Sequence, residues 1–329
     1  MKQILGYALT RYPNYVTFSL AVSLDTPMSE TLPRRTALLL FAAVIVGWGT
    51  TWPVTKALVA HVPPLWTTTI RSGLATIVLL GLLLALGQLI VPRRGDMPVV
   101  LNIALLHMVA FAALVAIGIQ FIPAGRSVVL GYTTPLWVAP GAWLFLGERL
   151  TPWRAAGIAI GIGGLALMFN PLAFDWGDAN ALLGNGLILL GAFCWAVSIL
   201  HIRAHTWIST PFQLVFWEAL LATGILLVLA LLFEGLPAVA WSPQLALLFF
   251  VGALGGVALP YWAMTTVNRS LPAVTTSLGV LATPVLGTIC SAIALAEPIT
   301  PTLLAAMALI LGGIAVGTIE QARPSFTQP

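Results

Sequence analysis

Few residues in this 329-residue chain can do chemistry, and most of them stand inside long apolar runs. Arg71, Glu218 and His107 are the sharpest cases. An ionisable side chain among apolar residues is costly to keep, so each is a candidate for function. Arg71 offers a guanidinium that can hold a carboxylate or another anion, or snorkel to headgroups. Glu218 can load and release a proton or recognise a cation; the alternative is a carboxylic acid hydrogen-bonded between helices. His107 can relay a proton or bind substrate, or be a neutral ring bonded to a neighbouring helix. Lys56 and Arg126 add two cations that can snorkel or join Arg71 in a cationic vestibule. His201 and His205 stand at a run's end, where an interfacial place suits them. The aromatic residues form a second group. Trp48, Tyr132, Trp195, Tyr261 and Trp262 can wall a cavity by stacking or cation–π contact, or pack against neighbouring helices. Trp66, Trp153 and Trp241 stand near run ends and suit an interfacial belt.

Other chemistries lack their residues. The sequence has no HExxH, no GxSxG, no phosphate-binding P-loop and no cluster of paired acidic residues. It is read as no enzyme, with no cofactor and no metal; an intramembrane enzyme is the remote alternative. Without a nucleotide motif, facilitated or ion-coupled movement of a solute remains. Cys194 and Cys290 lie apart in apolar runs and suit small buried residues rather than a disulfide or a metal pair.

The elements that must position these residues follow from composition. The chain is 59% hydrophobic and 7% charged, with a mean hydropathy of +1.01. A soluble domain carries about 25% charged residues, so a soluble enzyme and a nucleic-acid-binding protein are both excluded. The partners expected are a lipid bilayer, a small-molecule substrate and protons. A helix needs about 20 apolar residues to cross a hydrocarbon core. Ten such stretches are predicted, at 36–60, 65–89, 98–119, 125–147, 152–170, 182–203, 212–234, 243–266, 272–296 and 299–319. None alternates apolar and polar residues as a transmembrane β-strand would. Residues 1–35 read as a cytoplasmic tail, with 1–27 either a mobile tail or an over-called start ahead of Met28, and 320–329 as a second tail. If the N-terminus is cytoplasmic, eleven of the 14 basic residues share its side and only Arg126 lies opposite, with Lys56 and Arg71 inside spans. That bias puts both termini in the cytoplasm, in a multi-pass protein of the inner (plasma) membrane.

The chain also repeats itself. Thr134-Pro135, Glu148 and Thr151-Pro152 recur as Thr283-Pro284, Glu297 and Thr300-Pro301, all at an offset of 149. An offset of 147 pairs Trp48 with Trp195, Pro64 with Pro211 and Arg71 with Glu218. A repeat of five helices is odd in number, so its second copy, 182–319, enters the membrane inverted relative to the first, 36–170. Inverted repeats are the plan of many secondary transporters, which alternate access to a midplane site. The inversion places Arg71 and Glu218 toward opposite leaflets, about 12 Å apart in depth, too far to pair directly. Pro53, Pro135, Pro260 and Pro284 interrupt spans and bend them, as gating hinges or as static kinks.

Gly125-Arg126-Ser127, Gly131 to Leu136 and Leu146-Gly147-Glu148-Arg149-Leu150 resemble the fourth-helix signature of the EamA-type drug/metabolite transporters. Gly47-Trp48-Gly49-Thr50-Thr51-Trp52-Pro53, then Pro63-Pro64 and Arg71, is similar to that family's first two helices. The resemblance covers 36–319. It implies an all-α membrane protein of ten helices in two inverted repeats around a central cavity. It further implies export of amino acids, metabolites or toxic compounds, with an uncoupled carrier or an uptake permease as the alternatives. The second half departs from the pattern in having Ala296-Glu297-Pro298 where the first has Gly147-Glu148-Arg149. At helix ends both glutamates suit a cap or an inter-helix lock better than a substrate ligand.

Overall fold

The prolines and capping residues that break the apolar runs also start the helices. Pro64, Pro152, Pro211 and Pro243 each stand in a first turn, where a missing N–H costs nothing. Thr151, Asp178, Thr210 and Ser242 accept from backbone N–H groups of the helices they precede. Thr210 and Gln213 close a reciprocal capping box.

The computed structural model describes residues 32–148, 150–169, 175–271 and 273–319. The expected tails, apart from 32–35, and Arg149 lie outside the described residues. From Pro33 onward the chain forms one unit, and every regular element among the described residues is helical. In chain order these are α1 (Arg34–Val59), α2 (Pro64–Ala85), α3 (Arg94–Gly118) and α4 (Ala124–Leu146). There follow α5 (Pro152–Met168), α6 (Ala179–Ala204) and α7 (Pro211–Phe233). The last are α8 (Pro243–Ala253, Leu254–Ala258 and Leu259–Ser270), α9 (Ala273–Gly279 and Ala282–Leu295) and α10 (Pro301–Ile319). Among the described residues eight helices are long and apolar enough to cross a membrane; Pro152–Met168 and Ala282–Leu295 are apolar but shorter.

Four helices are not uniform, and the irregularities fall in corresponding places. α3 is π-helical over Ile103–Phe111 and α8 over Leu254–Ala258. Such stretches widen the helix by one residue per turn and recur at functional sites. In α8 the stretch ends just before Pro260, which has no N–H to continue the ordinary ladder. α4 breaks at Tyr132–Thr133 and restarts at Thr134, with Pro135 in the new first turn. α9 breaks between Gly279 and Ala282, with Pro284 in the new first turn. At both prolines the helix restarts rather than bends through. Pro53 lies inside an unbroken α1.

Packing is most extensive between α5 and α10. A Cβ on Gly157 would collide with the Gly313 carbonyl, and one on Gly313 with the Gly157 carbonyl. Backbones come this near only where side chains are absent. α2 lies along α7, where Ser72 and Thr76 meet Thr223 at 2.8 and 3.2 Å. Three carboxylates tie helix starts to distant segments. Glu234, just past α7, accepts from Leu65 and Trp66 N–H at the start of α2. Glu297, just past α9, accepts from Ala124 and Gly125 N–H at the start of α4 (2.8 and 3.0 Å). Asp96, at the start of α3, accepts from Ile208 and Ser209 N–H ahead of α7. A helix N-terminus presents unpaired donors and a positive dipole end, so a carboxylate there is favoured twice over.

Candidate substrate cavity

A cavity of about 560 Å³ opens between α4, α5, α6, α8, α9 and α10. Tyr132 and Trp195 line one part of it, and Glu148, Arg154 and Arg203 another. The break in α4 places Tyr132 there, directly before the restart at Thr134. α6 brings Trp195 and, two turns later, Arg203. Arg154 Nη1 lies 3.0 Å from Glu148 Oε2, and Arg203 pairs with the other carboxylate oxygen.

Behind Trp195 the rings continue into the protein. His107, on the π-helical stretch of α3, lies flat on Trp195 with centroids 5.1 Å apart and planes 5° from parallel. Phe111 meets Trp195 at 5.1 Å, and Tyr132 meets it edge-on at 6.3 Å. Trp52 closes the cluster against Phe111 at 6.5 Å. The Tyr261 hydroxyl lies 3.1 Å from His107 Nδ1, so one nitrogen of that imidazole is fixed by α8. Glu218 on α7 is only 3% exposed, and its Oε1 has no hydrogen-bond partner. Its carboxyl is within electrostatic reach of Tyr261. Its neighbours Trp217 and Ala219 pack in one cluster with Ala258, Tyr261 and Trp262 of α8. A buried polar atom left unpaired is uncommon and calls for an explanation.

His107, Tyr132, Trp195, Tyr261 and Glu218 are thus brought together. Trp48, the repeat partner of Trp195, is half-buried, and among the described residues no ring stacks on it; Trp52, one turn further along α1, joins the cluster. The three cations of the expected vestibule each have separate partners. Arg71 Nη1 donates to Thr55 Oγ1 at 2.6 Å, its guanidinium runs beside Gly252 and Gly256 of α8, and its Nε has no partner. Lys56 Nζ donates to the carbonyls of Ile119, Gln120 and Ile122 at 2.5–3.0 Å, closing the end of α3. Arg126 donates to Asn185 Oδ1 and the Met168 carbonyl and covers the Phe169 ring. No ion pair joins Arg71 to Glu218. His205 contacts Asp96 at 3.4 Å rather than standing free at an interface. Among the described residues no cluster of His, Cys, Asp and Glu could hold a metal ion.

Sequence reasoning missed Phe111, Trp52 and Thr55. A signal existed for Phe111, which follows His107 by four residues and so shares its face. A second groove of about 760 Å³ runs along α7 past Trp217, Leu221 and Val228, and none of its lining residues is ionisable. It offers nothing to tell one solute from another.

A family model, the EamA-like transporter family, matches residues 35–170 and again 182–318. An uncharacterised transporter, YvbV of Bacillus subtilis, is 28% identical over 86% of this chain and 92% of its own length. A probable amino-acid metabolite efflux pump of Salmonella typhimurium is 30% identical over 82% of this chain and 91% of its own. A solved crystal structure with 22% identity aligns with a TM-score of 0.62, over 89% of this chain and 99% of that one. With both halves matched and the cavity in place, the chain belongs to the EamA-like transporter family and is a multi-pass membrane transporter of a small-molecule substrate.

Proposed function

We propose that this transporter exports a small organic metabolite, such as an amino acid or a toxic compound, by alternating access linked to proton movement. In this reading ten helices span the inner membrane as two inverted repeats, 36–170 and 182–319, with both termini cytoplasmic. Contacts between repeat-related residues support it. Thr76 and Thr223 are 147 residues apart and touch. Exchanging halves at the offset of 149 converts the close pair Gly157–Gly313 into Ala306–Gly164, and those two are also in close contact. Such reciprocity belongs to a two-fold relation between halves. The carboxylate ties agree in direction, since the end of α7 meets the start of α2 and the end of α9 meets the start of α4. Those are the ends that an inverted second copy would bring to one face.

The cavity carries the functional reading. Tyr132 and Trp195 supply aromatic faces, and the Glu148–Arg154–Arg203 group supplies charge. That combination suits an aromatic or amphipathic solute bearing a carboxylate. The efflux-pump relative, whose name speaks of amino-acid metabolites, points to the same class. Glu218, buried and unpaired at one oxygen, is the group best suited to carry the proton.

Counterflow tests this. Proteoliposomes preloaded with a mixed amino-acid pool should accumulate labelled tryptophan, and an inward-to-outward pH difference should raise the plateau. Glu218→Gln should lose the pH response and keep counterflow. A plateau indifferent to pH in the unaltered protein would make it an uncoupled carrier. No counterflow across the pool would move the substrate to another class.

A further inference from the structure

We infer that Glu218, Tyr261 and His107 form one proton path, and that His107 couples it to the substrate cavity through the face of Trp195. The inference rests on the proton-linked reading above and adds the residues that would make the link. Three observations carry it. Glu218 is buried with Oε1 unpaired, so its carboxyl can rotate without breaking a bond there, and its neighbours Trp217 and Ala219 pack with Ala258, Tyr261 and Trp262 of α8. Tyr261 packs in the cluster that holds Phe216 and Ala219 of α7, in electrostatic reach of the acid, and its hydroxyl lies 3.1 Å from Nδ1 of the imidazole. His107 in turn lies flat on Trp195, and Trp195 is a wall of the cavity. The π-helical stretch of α3 carries His107, and the one in α8 ends three residues before Tyr261. The contact thus joins a residue within one widened turn to a residue just past the other.

The step is a proton shift along existing groups. Protonated Glu218 rotates toward Tyr261 and gives its proton to the phenol oxygen, while the phenol O–H proton passes to Nδ1 of a neutral His107. One O–H bond forms as another breaks on Tyr261, an O–H breaks on Glu218 and an N–H forms on His107. Nothing is oxidised or reduced. The result is a carboxylate on α7 and an imidazolium stacked on an indole. A cation on an aromatic face is held more strongly than a neutral ring, so the proton tightens Trp195 against α3, and a solute that displaces Trp195 pushes the proton back. Among the described residues, Arg71 is a further charged group that meets α8. It faces α8 at Gly252 and Gly256 from the α2 side, and it bonds Thr55 rather than any member of the path.

Tyr261→Phe removes the hydroxyl and keeps the ring. In proteoliposomes with labelled tryptophan as probe, its accumulation driven by a pH difference should fall at least tenfold, while counterflow at equal pH stays within twofold. Loss of both activities together would mark a packing role, and unchanged gradient-driven accumulation in Tyr261→Phe would overturn the path. A second measurement needs no substrate. Imidazolium quenches a stacked indole, so a pH titration of intrinsic tryptophan fluorescence in detergent should show a step in the unaltered protein that Trp195→Phe and His107→Gln both remove. Tyr261→Phe should displace that step. If no such step exists, the coupling through Trp195 is wrong whatever the substrate. If the step is present but tryptophan is not exchanged, the substrate reading falls and the His107–Trp195 contact stands.

Discussion

Glu148 and Glu297 stand 149 residues apart at the ends of matched helices, yet they are used differently. Both follow a residue in the left-handed region, Gly147 at φ 67° and Ala296 at φ 53°. That shared turn throws each carboxylate back toward neighbouring elements. Glu297 takes two backbone N–H groups at the start of α4, within reach of the Lys56 charge. Glu148 takes two guanidinium groups and lines the cavity. At its start α4 is therefore fastened by bonds to main chain, and at its end by ion pairs between long side chains. Main-chain bonds hold fixed geometry; Arg–Glu pairs at 17–41% exposure can part and re-form against water at little cost. The motif sets the turn, and the neighbours decide whether it becomes a cap or a latch.

Removing each carboxylate should separate the two roles by the largest margin. Glu297→Ala leaves the Ala124 and Gly125 N–H groups without their charged acceptor, which costs about 2–4 kcal/mol for two such bonds. Glu148→Ala breaks partly exposed ion pairs, each worth about 0–1 kcal/mol. Thermal unfolding in detergent should therefore fall by several degrees for the first and by a degree or two for the second. Equal losses would erase the distinction between cap and latch.

Lys56 sharpens the same contrast at intermediate size. Its ammonium closes three carbonyls at the end of α3 beside the Glu297 cap. Lys56→Met keeps the stem and drops all three bonds, at about 1–3 kcal/mol. Access should change more than stability. In a background lacking Cys194 and Cys290, a cysteine at the fully buried Ser127 should resist a maleimide and become reactive when Lys56→Met is added. A cysteine at Ile199, in the cavity wall, should react in both. Unchanged protection of position 127 would mean that Lys56 merely fills a helix end.

The spans were legible because polar and proline breaks end them, and α1, α6 and α7 lie within a few residues of the predicted stretches. Hydropathy could not show the π-helical turns, because a run of apolar residues looks the same whichever carbonyl each N–H reaches. One of those turns, absent from any residue count, carries the His107 that lies on Trp195. The offset that matched Trp48 to Trp195 identified a position in each half, but only one of the two indoles stacks within the ring cluster. Lys56, Arg71 and Arg126 could be placed at one side by depth, yet long side chains fold back on carbonyls and hydroxyls that a sequence does not locate. Glu218 was legible as an oddity in an apolar run; its unpaired oxygen was not.

The smallest effect isolates the turn itself. Gly147 and Ala296 are both exposed, and a Cβ on Gly147 would meet nothing within 4 Å. Exchanging Gly and Ala at either position therefore changes backbone strain and unfolded-chain freedom, with little packing. A left-handed alanine costs about 1–2 kcal/mol, and glycine gives back about 0.4–1 kcal/mol through its freer unfolded chain. Ala296→Gly should then stabilise by about 0.5 kcal/mol, and Gly147→Ala should destabilise by about the same amount. Opposite signs in paired thermal unfolding curves are the expected outcome. If both substitutions destabilise, Ala296 makes contacts that offset its strain, and the two turns are alike in φ alone. If both are neutral, the Glu297 cap holds its end so firmly that the turn adds nothing, which would widen the contrast between the two ends.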